Sequence, residues 1–366
     1  MKILILEYIL FILKYKLKEF SIEGRKIGRK RPIFLIAEAG VNHNGKISLA
    51  KKMVDIASNA EVDAIKFQTY FVEELILEKT PKVEYQKTNK DDNENFYDLL
   101  KSLALTSDEF LELKNYCNKK GLVFLSTPFD FKSLDLLDKL NVSAYKIGSG
   151  DMNNFPLIEK ICSKEKPILV STGMATMKEV RELVSFIEEH HNYEFILLQC
   201  TSNYPTPIRD INLNVIDTYK SEFPDIIIGF SDHSLGLVAS LGAAAKGVKV
   251  IEKHFTLDKN MEGPDHKASL DPSELKDWVQ CIRKLEDALG KSEKKPSEKE
   301  LEVAKVARKS IVSLRKIPKG KSISRDDVSI KRPGYGISPK HYEEIIKKRA
   351  KNDIPENSIL RWKDLE

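Results

Sequence analysis

After residue 30 the chain alternates between short apolar runs and longer amphipathic segments. The runs are rich in β-branched residues, which is typical of buried strands. Eight of them follow one another, at 34–39, 64–68, 122–127, 144–148, 168–172, 195–200, 226–231 and 249–255. The segments between them carry apolar residues at helical spacing, as at 47–60, 107–121 and 176–191. Eight strand–helix units within about 250 residues predict an α/β fold, the (β/α)₈ TIM barrel.

A doubly wound open sheet is the alternative arrangement of alternating strands and helices. No Gly-x-Gly-x-x-Gly follows the first run, which disfavours a dinucleotide-binding sheet. Nearly every run ends in a polar or ionisable residue: Glu38, Lys66, Gln68, Thr127, Lys146, Ser171, Gln199, Ser231, Glu252 and His254. Barrel enzymes keep their chemistry at the carboxyl ends of the strands, so this pattern favours the barrel and predicts the place of its site.

The connection after the second run, residues 69–121, is the longest in the barrel. Its first part is polar and irregular before a helical pattern begins. Loops of this length are uncommon in compact domains unless they cover a site or are disordered. We interpret this connection as a lid or as a side wall of the site.

Composition changes near Gly290, which places the barrel at residues 20–290. Residues 291–303 are highly charged and contain a proline, as linkers do. Residues 304–366 form a separate small module. Within it, residues 317–328 and 353–365 form an internal near-repeat. Each copy contains Ile-Pro, a turn, a short apolar strand and then an acidic residue that begins the next segment. A module of this size has a marginal core, so we expect it to dock on another surface.

Residues 1–19 precede the barrel pattern and are apolar with interspersed charges. They lack a small-residue cleavage site, so an added amphipathic helix or a misassigned start codon fits better than a signal peptide. No apolar run reaches the ~18–20 residues that span a bilayer, so no membrane association is predicted.

Composition excludes several classes of protein. The formal net charge is +5 without a concentrated basic block, so no nucleic-acid partner is predicted, although a small anionic substrate would suit it. The four cysteines, Cys117, Cys162, Cys200 and Cys281, form no Cys-x-x-Cys pair. A zinc ribbon and a disulfide framework are therefore disfavoured, and a cytoplasmic location is expected.

Two histidines stand at the ends of the last two strands. His233 lies just beyond the seventh run and His254 within the eighth. Neighbouring strands are ~4.8 Å apart, so both imidazoles could reach one cation. Two neutral imidazoles with water or substrate oxygens suit a divalent ion such as Mn²⁺ or Zn²⁺. Either histidine alone could simply be hydrogen-bonded in the barrel mouth, whereas the pair favours a metal site.

Lys66 and Lys146 stand inside apolar runs, where an unpaired cation is costly. Each therefore needs a carboxylate partner or an anionic ligand. A Schiff-base lysine is one interpretation and a clamp for phosphate or carboxylate is another. The hydroxyls at nearby strand ends and the Gly148–Gly150 turn favour the anion clamp. The acids of the same mouth could neutralise the lysines or transfer protons: Glu38, Asp151, Asp232, Glu252 and Asp265.

Eight motifs in this order resemble those of the sialic acid synthase family. They are EAGVNHNG (38–45), IKFQTY (65–70), STPFD (126–130), YKIGSGDMNNFPLI (145–158), STGMAT (171–176), QCTSNYPTP (199–207), GFSDHSLG (229–236) and EKHFTLDKNMEGPDHKASLDP (252–272). The carboxyl-terminal module, with KRPGYGISP (331–339), resembles the β-clip antifreeze-like (SAF) domain of these enzymes. The resemblance covers the chain from about residue 20 to its end.

The resemblance implies a transferase that condenses phosphoenolpyruvate with a 2-acetamido sugar and releases phosphate. N-acetylneuraminate synthase, with N-acetylmannosamine as the acceptor, is the activity expected. A legionaminic acid synthase that uses a 2,4-diacetamido-trideoxy hexose is one alternative. A 9-phosphate synthase that uses N-acetylmannosamine 6-phosphate is the other.

The resemblance also implies roles for individual residues. Mn²⁺, with Mg²⁺ or Co²⁺ as alternatives, would be bound by His233 and His254. Phosphoenolpyruvate would be bound by Lys66, Thr127, Lys146, Ser149, Ser171 and Ser231. The sugar pocket would be formed by Glu38, Gln68, Tyr204 and Asp265. The residues expected to act in catalysis are Glu38, Lys66, Lys146, Asp151 and Asp265.

Arg332, in the small module, matches an arginine that reaches the sugar bound by a partner subunit. The resemblance therefore implies a domain-swapped homodimer in which each site needs two chains.

Two other interpretations compete with this one. The first is another phosphoenolpyruvate-using barrel, such as a relative of the 3-deoxy-heptulosonate synthases, but the antifreeze-like tail and the paired histidine motifs argue against it. The second is a non-catalytic carbohydrate-binding or ice-binding protein. Resemblance to antifreeze proteins is an analogy of fold and does not carry function. The presence of Lys66, Lys146, His233 and His254 disfavours a barrel without activity.

Overall fold

The computed structural model describes residues 19–81, 95–191 and 195–366. The chain forms two compact units, Met1–Gly290 and Lys291–Glu366. Residues 1–18 of the predicted amino-terminal extension and residues 82–94 of the predicted lid lie outside the described residues. No helix of the described part is both long and apolar enough to cross a bilayer.

The described part of the first unit starts with a hairpin and continues into eight parallel strands. The hairpin is β1 (Glu19–Ile22) and β2 (Arg25–Gly28). The parallel strands are β3 (Phe34–Gly40), β4 (Ala64–Thr69), β5 (Val123–Pro128), β6 (Tyr145–Ile147), β7 (Ile168–Ser171), β8 (Phe195–Cys200), β9 (Ile227–Asp232) and β10 (Val250–His254). Their order in the sheet is β5-β4-β3-β10-β9-β8-β7-β6, and β5 lies against β6. The predicted TIM barrel is confirmed, and each of the eight apolar runs forms one of its strands.

Helices follow the strands and cover the outside of the barrel. They are α1 (Ile47–Asn59), α2 (Val72–Leu75), α3 (Phe96–Leu103), α4 (Ser107–Lys119), α5 (Phe131–Lys139), α6 (Phe155–Cys162), α7 (Met177–His190), α8 (Val215–Glu222), α9 (Val238–Ala245) and α10 (Pro272–Leu289). Local sequence fixes several of their starts, because Thr106, Thr176 and Asp271 each form a capping box with a glutamate three residues later.

The strands alternate between two faces, and the inner face changes character along its length. Near the amino ends it carries apolar side chains that pack together: Phe34, Ile36, Ala64, Val123, Leu125, Ala144, Leu169, Ile196, Leu198, Ile227 and Val250. Two residues further along, the same face carries Glu38, Lys66, Thr127, Lys146 and Ser171, which line a cavity. The period of two therefore places the polar strand ends inside the barrel.

The hairpin covers the amino end of the barrel. Ile22 and Ile27 are fully buried and pack against the inner apolar layer. Asp63 is bonded to Arg25 at 2.8 Å and to Arg283 at 3.0 Å, and it accepts the backbone N–H of Leu35. Polar groups at this end are thus paired with one another.

The second unit is built on a small antiparallel sheet. Its strands are β11 (Ser310–Ser313) and β12 (Val328–Lys331), and its helices are α11 (Glu298–Ala307) and α12 (Tyr342–Ile345). Helix α11 begins inside the segment predicted as a linker, where Ser297 and Glu300 form a capping box. A small core holds the unit together: Ile311, Ile317, Ile323, Val328, Ile337, Ile345, Ala350, Ile354, Leu360 and Leu365.

The predicted near-repeat is visible in this unit as a symmetric pairing. Ile317 and Ile354 exchange both backbone hydrogen bonds, each 2.9 Å long. Each is followed by a proline and then by a residue with positive φ, Gly320 at 77° or Asn357 at 56°. The Ile-Pro starts of the two copies are therefore antiparallel equivalents of each other.

Candidate active site

A cavity of about 670 Å³ opens at the carboxyl ends of the barrel strands. Most of the side chains predicted for the site line it: Glu38, Lys66, Gln68, Thr127, Lys146, Ser149, Ser171, Tyr204, Ser231, His233 and His254. A cavity with several convergent polar groups at this end of a TIM barrel is where such enzymes carry out their chemistry.

Lys66 lies at the floor of the cavity and is almost inaccessible to solvent. Its ammonium group lies 2.8 Å from Oε2 of Glu38 and donates a hydrogen bond of 2.9 Å to the hydroxyl of Thr127. Glu252 is farther away, at 3.8 Å. Although burial opposes the charge, Glu252 and Glu38 raise the pKa of Lys66. Lys66 is therefore a fixed cation.

Lys146 forms the second half of this floor. It donates hydrogen bonds to the hydroxyl of Ser171, at 2.6 Å, and to the carbonyl of Ile147, at 3.1 Å. Its nearest carboxylate oxygen, on Glu252, is 4.0 Å away. Burial lowers the pKa of Lys146, so this cation is less well compensated than Lys66.

Glu252 stands between the two lysines and accepts a hydrogen bond of 3.1 Å from Ser231. Despite its burial, Lys146 and Lys66 lower the pKa of this carboxyl. Glu38 behaves differently, because burial raises its pKa to about 7 in spite of Lys66. Two neighbouring carboxyls thus differ in protonation near neutral pH, which separates a fixed anion from a group able to exchange protons.

Several polar atoms of this cluster have no hydrogen-bond partner within the described part of the chain. They are Oε1 and Oε2 of Glu38 and Oε2 of Glu252, although the last two lie within 4 Å of Lys66. Buried polar atoms are nearly always bonded in folded proteins. Such a cluster is therefore expected to gain its missing contacts from a ligand.

A register shift in β3 shapes this part of the site. Glu38 is opposite Lys66 and Gly40 is opposite Phe67, so Ala39 is an extra residue. Gly40 has φ of 53°, and a Cβ there would lie 3.4 Å from Oε1 of Glu38. Bulges re-aim side chains next to active sites, and glycine permits this one.

The two strand-end histidines meet, as their sequence positions predict. Their ring centroids are 5.3 Å apart. Nδ1 of His233 donates to the carbonyl of Thr201 at 2.8 Å, so Nε2 is the nitrogen that could bind a ligand in the neutral ring. Although burial opposes the charge, Cys200 raises the pKa of His233. Burial lowers the pKa of His254 well below its usual value, so that ring is neutral.

This donor pair fits a shared divalent cation. An imidazole centroid lies roughly 3 Å from an ion bound at Nε2, so 5.3 Å between centroids allows two rings on one ion. Within the described ranges no group of three or more His, Cys, Asp or Glu residues is arranged to hold a metal. The remaining coordination positions would therefore be filled by oxygens of water or substrate.

Tyr204 and Asp265 flank the histidines. The Tyr204 ring lies 4.1 Å from that of His233 and meets His254 edge-on at 5.7 Å. Oδ2 of Asp265 is 3.9 Å from Nδ1 of His254. Burial raises the pKa of Asp265 to about 6, so this carboxyl is a second group able to exchange protons near neutral pH.

The opposite wall is formed by the turn after β6 and the loop after β7. Ser149 accepts a hydrogen bond of 2.9 Å from the backbone N–H of Gly173 and donates to Sγ of Cys200 at 3.5 Å. A Cβ at Gly173 would lie only 2.1 Å from the hydroxyl of Ser202. The glycine is therefore needed for close packing of two serine hydroxyls beside the lysine floor.

Four residues predicted for the site are not among the lining residues of the cavity. The expectation that Asp232 lies in the mouth is wrong, because this carboxylate faces away from the cavity and pairs with Lys253 at 2.8 Å. Asp265 is adjacent, as described above. Asp151 accepts a hydrogen bond from Asn154 at 3.1 Å, and burial raises its pKa. Arg332 is exposed in the second unit, directly after β12.

The cavity also contains residues whose roles the sequence left open or did not assign. Glu252 was expected either to neutralise the lysines or to transfer protons, and the structure places it between the two lysines. Cys200 lies 3.7 Å from Nδ1 of His233. Phe129, Met174 and Ser202 complete the walls. Position at a strand end was the available signal for Cys200. Phe129, Met174 and Ser202 lie on loops, where the sequence has no periodicity that indicates the direction of a side chain.

All four cysteines are free thiols, so the expectation of no disulfide framework is confirmed.

Comparison with protein families gives two matches. Residues 53–294 match the NeuB family, and residues 308–366 match the SAF domain. The chain is 40% identical to the N,N′-diacetyllegionaminic acid synthase of Legionella pneumophila, with 93% of this chain and 96% of that protein covered. It is 35% identical to the N-acetylneuraminate-9-phosphate synthase of Homo sapiens, with 92% and 94% covered.

A solved structure is similar as well. The N-acetylneuraminic acid (sialic acid) synthetase of Leptospira borgpetersenii, in complex with citrate, superposes with a TM-score of 0.70 at 36% identity. The alignment covers 78% of this chain and 95% of that one.

Proposed function

The chain belongs to the NeuB family of phosphoenolpyruvate-using condensing enzymes, and on that premise we propose that it is an N-acetylneuraminate synthase. The reaction joins C3 of phosphoenolpyruvate to the aldehyde carbon of open-chain N-acetylmannosamine. Water adds at C2, and phosphate leaves with cleavage of its C–O bond, which gives a nine-carbon 2-keto acid. The observation that carries this proposal is the meeting of a lysine floor and two imidazoles in one cavity.

Phosphoenolpyruvate binds at the lysine floor in this proposal. Lys66 and Lys146 neutralise its phosphate and carboxylate, and the hydroxyls of Thr127, Ser149 and Ser171 direct it. Each lysine already holds a hydroxyl in place, at 2.9 Å for Thr127 and 2.6 Å for Ser171. Charge-assisted contacts of this kind are preorganised and hold C3 toward the aldehyde.

The lysines act as electrostatic clamps and need no covalent step. Treatment with borohydride in the presence of pyruvate should therefore leave Lys66 and Lys146 unmodified. A trapped adduct on either lysine would favour the Schiff-base interpretation instead.

The carboxyl groups stabilise the charge that develops in the reaction and transfer protons. Carbon–carbon bond formation leaves cationic character at C2, and the fixed anion of Glu252, with Glu38 beside it, stabilises that charge. Glu38 accepts the proton of the water that adds at C2. Asp265, beside His254, donates a proton to the aldehyde oxygen. The pKa values of about 7 and about 6 suit these transfers near neutral pH.

His233 and His254 would hold the divalent ion, with Mn²⁺ proposed and Mg²⁺ or Co²⁺ as alternatives. When bound, the ion supplies Lewis-acid polarisation of the sugar carbonyl. Tyr204 packs against the His233 ring at 4.1 Å and limits its rotation. The hydrogen bond from His233 to Thr201 selects the tautomer in which Nε2 is the nitrogen available to the ion.

The acceptor is proposed to be unphosphorylated. Among the described lining residues of the cavity, the lysines and arginines are Lys66 and Lys146, and both lie at the floor. A sugar phosphate would need a further cation near the mouth, and Arg332 of a partner subunit, which we propose for the sugar site, is a candidate, so the 6-phosphate is tested beside the unphosphorylated sugar. The diacetamido-trideoxy hexose is the second candidate acceptor, because the legionaminic acid synthase is 40% identical and the 9-phosphate synthase 35%.

Arg332 is proposed to complete the sugar site of a partner subunit in a domain-swapped homodimer. Its exposed position on the second unit is compatible with a contact to another chain. Arg332→Ala should raise KM for the sugar far more than KM for phosphoenolpyruvate. Equal effects on both constants would contradict the assignment.

The first experiment is phosphate release from phosphoenolpyruvate with N-acetylmannosamine, first with EDTA and then with added Mn²⁺. Release that needs both the sugar and the metal supports the proposal, and the 6-phosphate and the diacetamido sugar can then be ranked. No release with N-acetylmannosamine, together with release from the diacetamido sugar, would select the second acceptor. No release with any of the three would overturn the proposed function.

A further inference from the structure

A buried ion pair lies in the barrel wall directly behind the two histidines. Asp232 and Lys253 are paired across β9 and β10, with Nζ 2.8 Å from Oδ2. Their side chains are 0% and 2% exposed. They immediately precede His233 and His254, and because side chains alternate along a strand they point away from the cavity that the histidines line.

The hydrogen bonds of this pair are complete, in contrast to those of the lysine floor. Oδ1 of Asp232 accepts from the backbone N–H of Ser234 at 2.9 Å and from its hydroxyl at 2.7 Å. Oδ2 accepts from the hydroxyl of Ser240, in α9, at 2.6 Å. Lys253 also donates to the carbonyl of Ser234 at 2.7 Å. The pair thus joins two strands, a loop and a helix at one point.

These contacts fix the backbone on both sides of His233. Asp232 precedes it, and Ser234 follows it and is bonded by both members of the pair. The carbonyl of His233 itself accepts from the backbone N–H of Thr206 at 2.8 Å. The ring orientation of His233 is therefore set by a backbone with little freedom, and Lys253 links that backbone to the strand that carries His254.

Stability alone does not account for this arrangement. Burying two charges costs several kcal/mol per ion, and apolar replacements of buried pairs are often neutral or stabilising. A pair of this kind is better explained by a requirement for geometry. The separation of two imidazoles is such a requirement, because a divalent ion binds both only within a narrow range of distance.

We propose that Asp232 and Lys253 are a positioning pair that sets the separation of the His233 and His254 imidazoles and thereby the affinity for the divalent ion. This inference rests on the proposed metal site. It adds residues that would touch neither substrate nor metal and that act through the backbone of the two ligands. Partners outside the coordination shell commonly affect metal affinity by about 10- to 100-fold.

The test is the Mn²⁺ affinity of the full-length chain, measured by titration calorimetry in the absence of substrate. The double variant Asp232→Asn/Lys253→Met removes both charges and the link between the strands, and it keeps an acceptor for Ser234. We expect its Kd for Mn²⁺ to rise about 10- to 100-fold. Its Kd for phosphoenolpyruvate, measured without metal, should stay within about twofold, since Lys66 and Lys146 stand on β4 and β6, whereas the pair joins β9 and β10.

A matched control removes a comparable ion pair at the opposite end of the barrel. Asp63→Asn/Arg283→Met breaks the contact of 3.0 Å between those side chains. It should lower Tm and leave the Kd for Mn²⁺ within about twofold of the parent, because sites this far apart act independently. A purely structural role of Asp232 and Lys253 would make the two double variants behave alike.

Ser240→Ala is a milder second variant in case the double variant does not fold. It removes one hydrogen bond to Asp232 and should raise the Kd for Mn²⁺ by a few-fold. A folded double variant with unchanged Mn²⁺ affinity would overturn the proposal, as would equal losses of Mn²⁺ and phosphoenolpyruvate affinity. If the double variant does not fold, unchanged affinity in Ser240→Ala would do so. A parent chain that binds no Mn²⁺ would instead overturn the metal site itself and this inference with it.

Discussion

The two ends of the barrel contain similar charged residues in opposite situations. At the amino end, Asp63 is bonded to Arg25 and Arg283, and both arginines are about one-third exposed. At the carboxyl end, Glu38 and Lys66 are at most 4% exposed, and although Oε2 of Glu38 is paired with Lys66 at 2.8 Å, Oε1 has no hydrogen-bond partner among the described residues. The polar groups around Asp63 at the amino end are paired with one another, whereas some polar atoms at the carboxyl end have no hydrogen-bond partner in the described part of the chain.

The difference shows how one fold separates stability from chemistry. Paired charges with access to water cost little to bury, so the amino end can hold the barrel together. Unsatisfied charges in a buried cavity are costly, and they persist because the surrounding core is stable enough to hold them. Residues of the same types therefore serve different purposes according to the end of the strand at which they stand.

The largest expected effect is the loss of a cation from the lysine floor. Lys146→Met should lower kcat/KM for phosphoenolpyruvate about 1,000-fold, as removal of one preorganised charge contact commonly does. Tm should fall as well, because Lys146 is the main charge that compensates the buried Glu252. Arg283→Met is the control at the amino end and should lower Tm with activity within about twofold. A Lys146→Met enzyme that keeps a tenth of the parent activity would erase the contrast between the two ends.

At the amino end we expect a loss of stability with little loss of activity. Ile27 is fully buried against the inner apolar layer, so Ile27→Ala should lower the free energy of unfolding by about 3 kcal/mol. Urea denaturation measures this change. The kinetic constants at 25 °C should stay within about twofold, because the hairpin lies at the far end of the strands. A large fall in kcat without a fall in stability would show that the two ends are coupled.

The pH dependence of stability should carry the signature of Glu38. Its pKa is raised by burial from 4.5 to about 7, so between these values the folded chain binds a proton that the unfolded chain does not. The contribution of Glu38 to the free energy of unfolding is therefore complete below about pH 4.5 and is lost as pH rises toward 7. Glu38→Gln should remove a loss on the order of 3 kcal/mol across this range. Parallel stability curves for parent and variant between pH 5 and pH 8 would be incompatible with this expectation.

The smallest effect is expected from a single methyl group. Gly40→Ala and Gly121→Ala both place a side chain at positive φ, 53° and 71°, which costs roughly 1–2 kcal/mol in each case. The new Cβ at position 40 would lie 3.5 Å from the amide of Gln68 and 3.6 Å from His254, whereas at position 121 nothing lies within 4 Å. We expect about a tenfold loss of kcat/KM in Gly40→Ala only, because the new methyl group would displace side chains of the site and catalysis depends on their exact positions. Equal activities in the two variants would mean that the bulge does not shape the site.

Much of the fold could be predicted from the sequence. The eight strands were found because apolar runs with polar ends recur at a regular interval. The approach of His233 to His254 followed from their places at the ends of successive strands, and the structure has their rings 5.3 Å apart.

Other features required the register of the strands. Lys66, Lys146 and Lys253 all stand in apolar runs, but the first two face the cavity and the third faces outward. A shift of one residue would exchange these faces, and composition does not fix that choice. The buried pair behind the histidines therefore went unpredicted.

The hairpin was missed for a simpler reason. Its strands are four residues each and precede the first long apolar run, and only Glu23-Gly24 separates them. The role of Glu252 was left open because a carboxylate acquires its role from the distances to Lys66 and Lys146, which depend on three separate strands.

The hairpin restricts how ligands enter and leave the site. With Ile22 and Ile27 filling the amino end, a ligand bound at the lysine floor must come and go past Tyr204 and the histidines. A second ligand seated above the floor therefore blocks both the entry and the exit of the first. In the proposed reaction this imposes an order on turnover: phosphoenolpyruvate is first to arrive, the sugar closes the cavity behind it, and excess sugar that arrives early slows the enzyme.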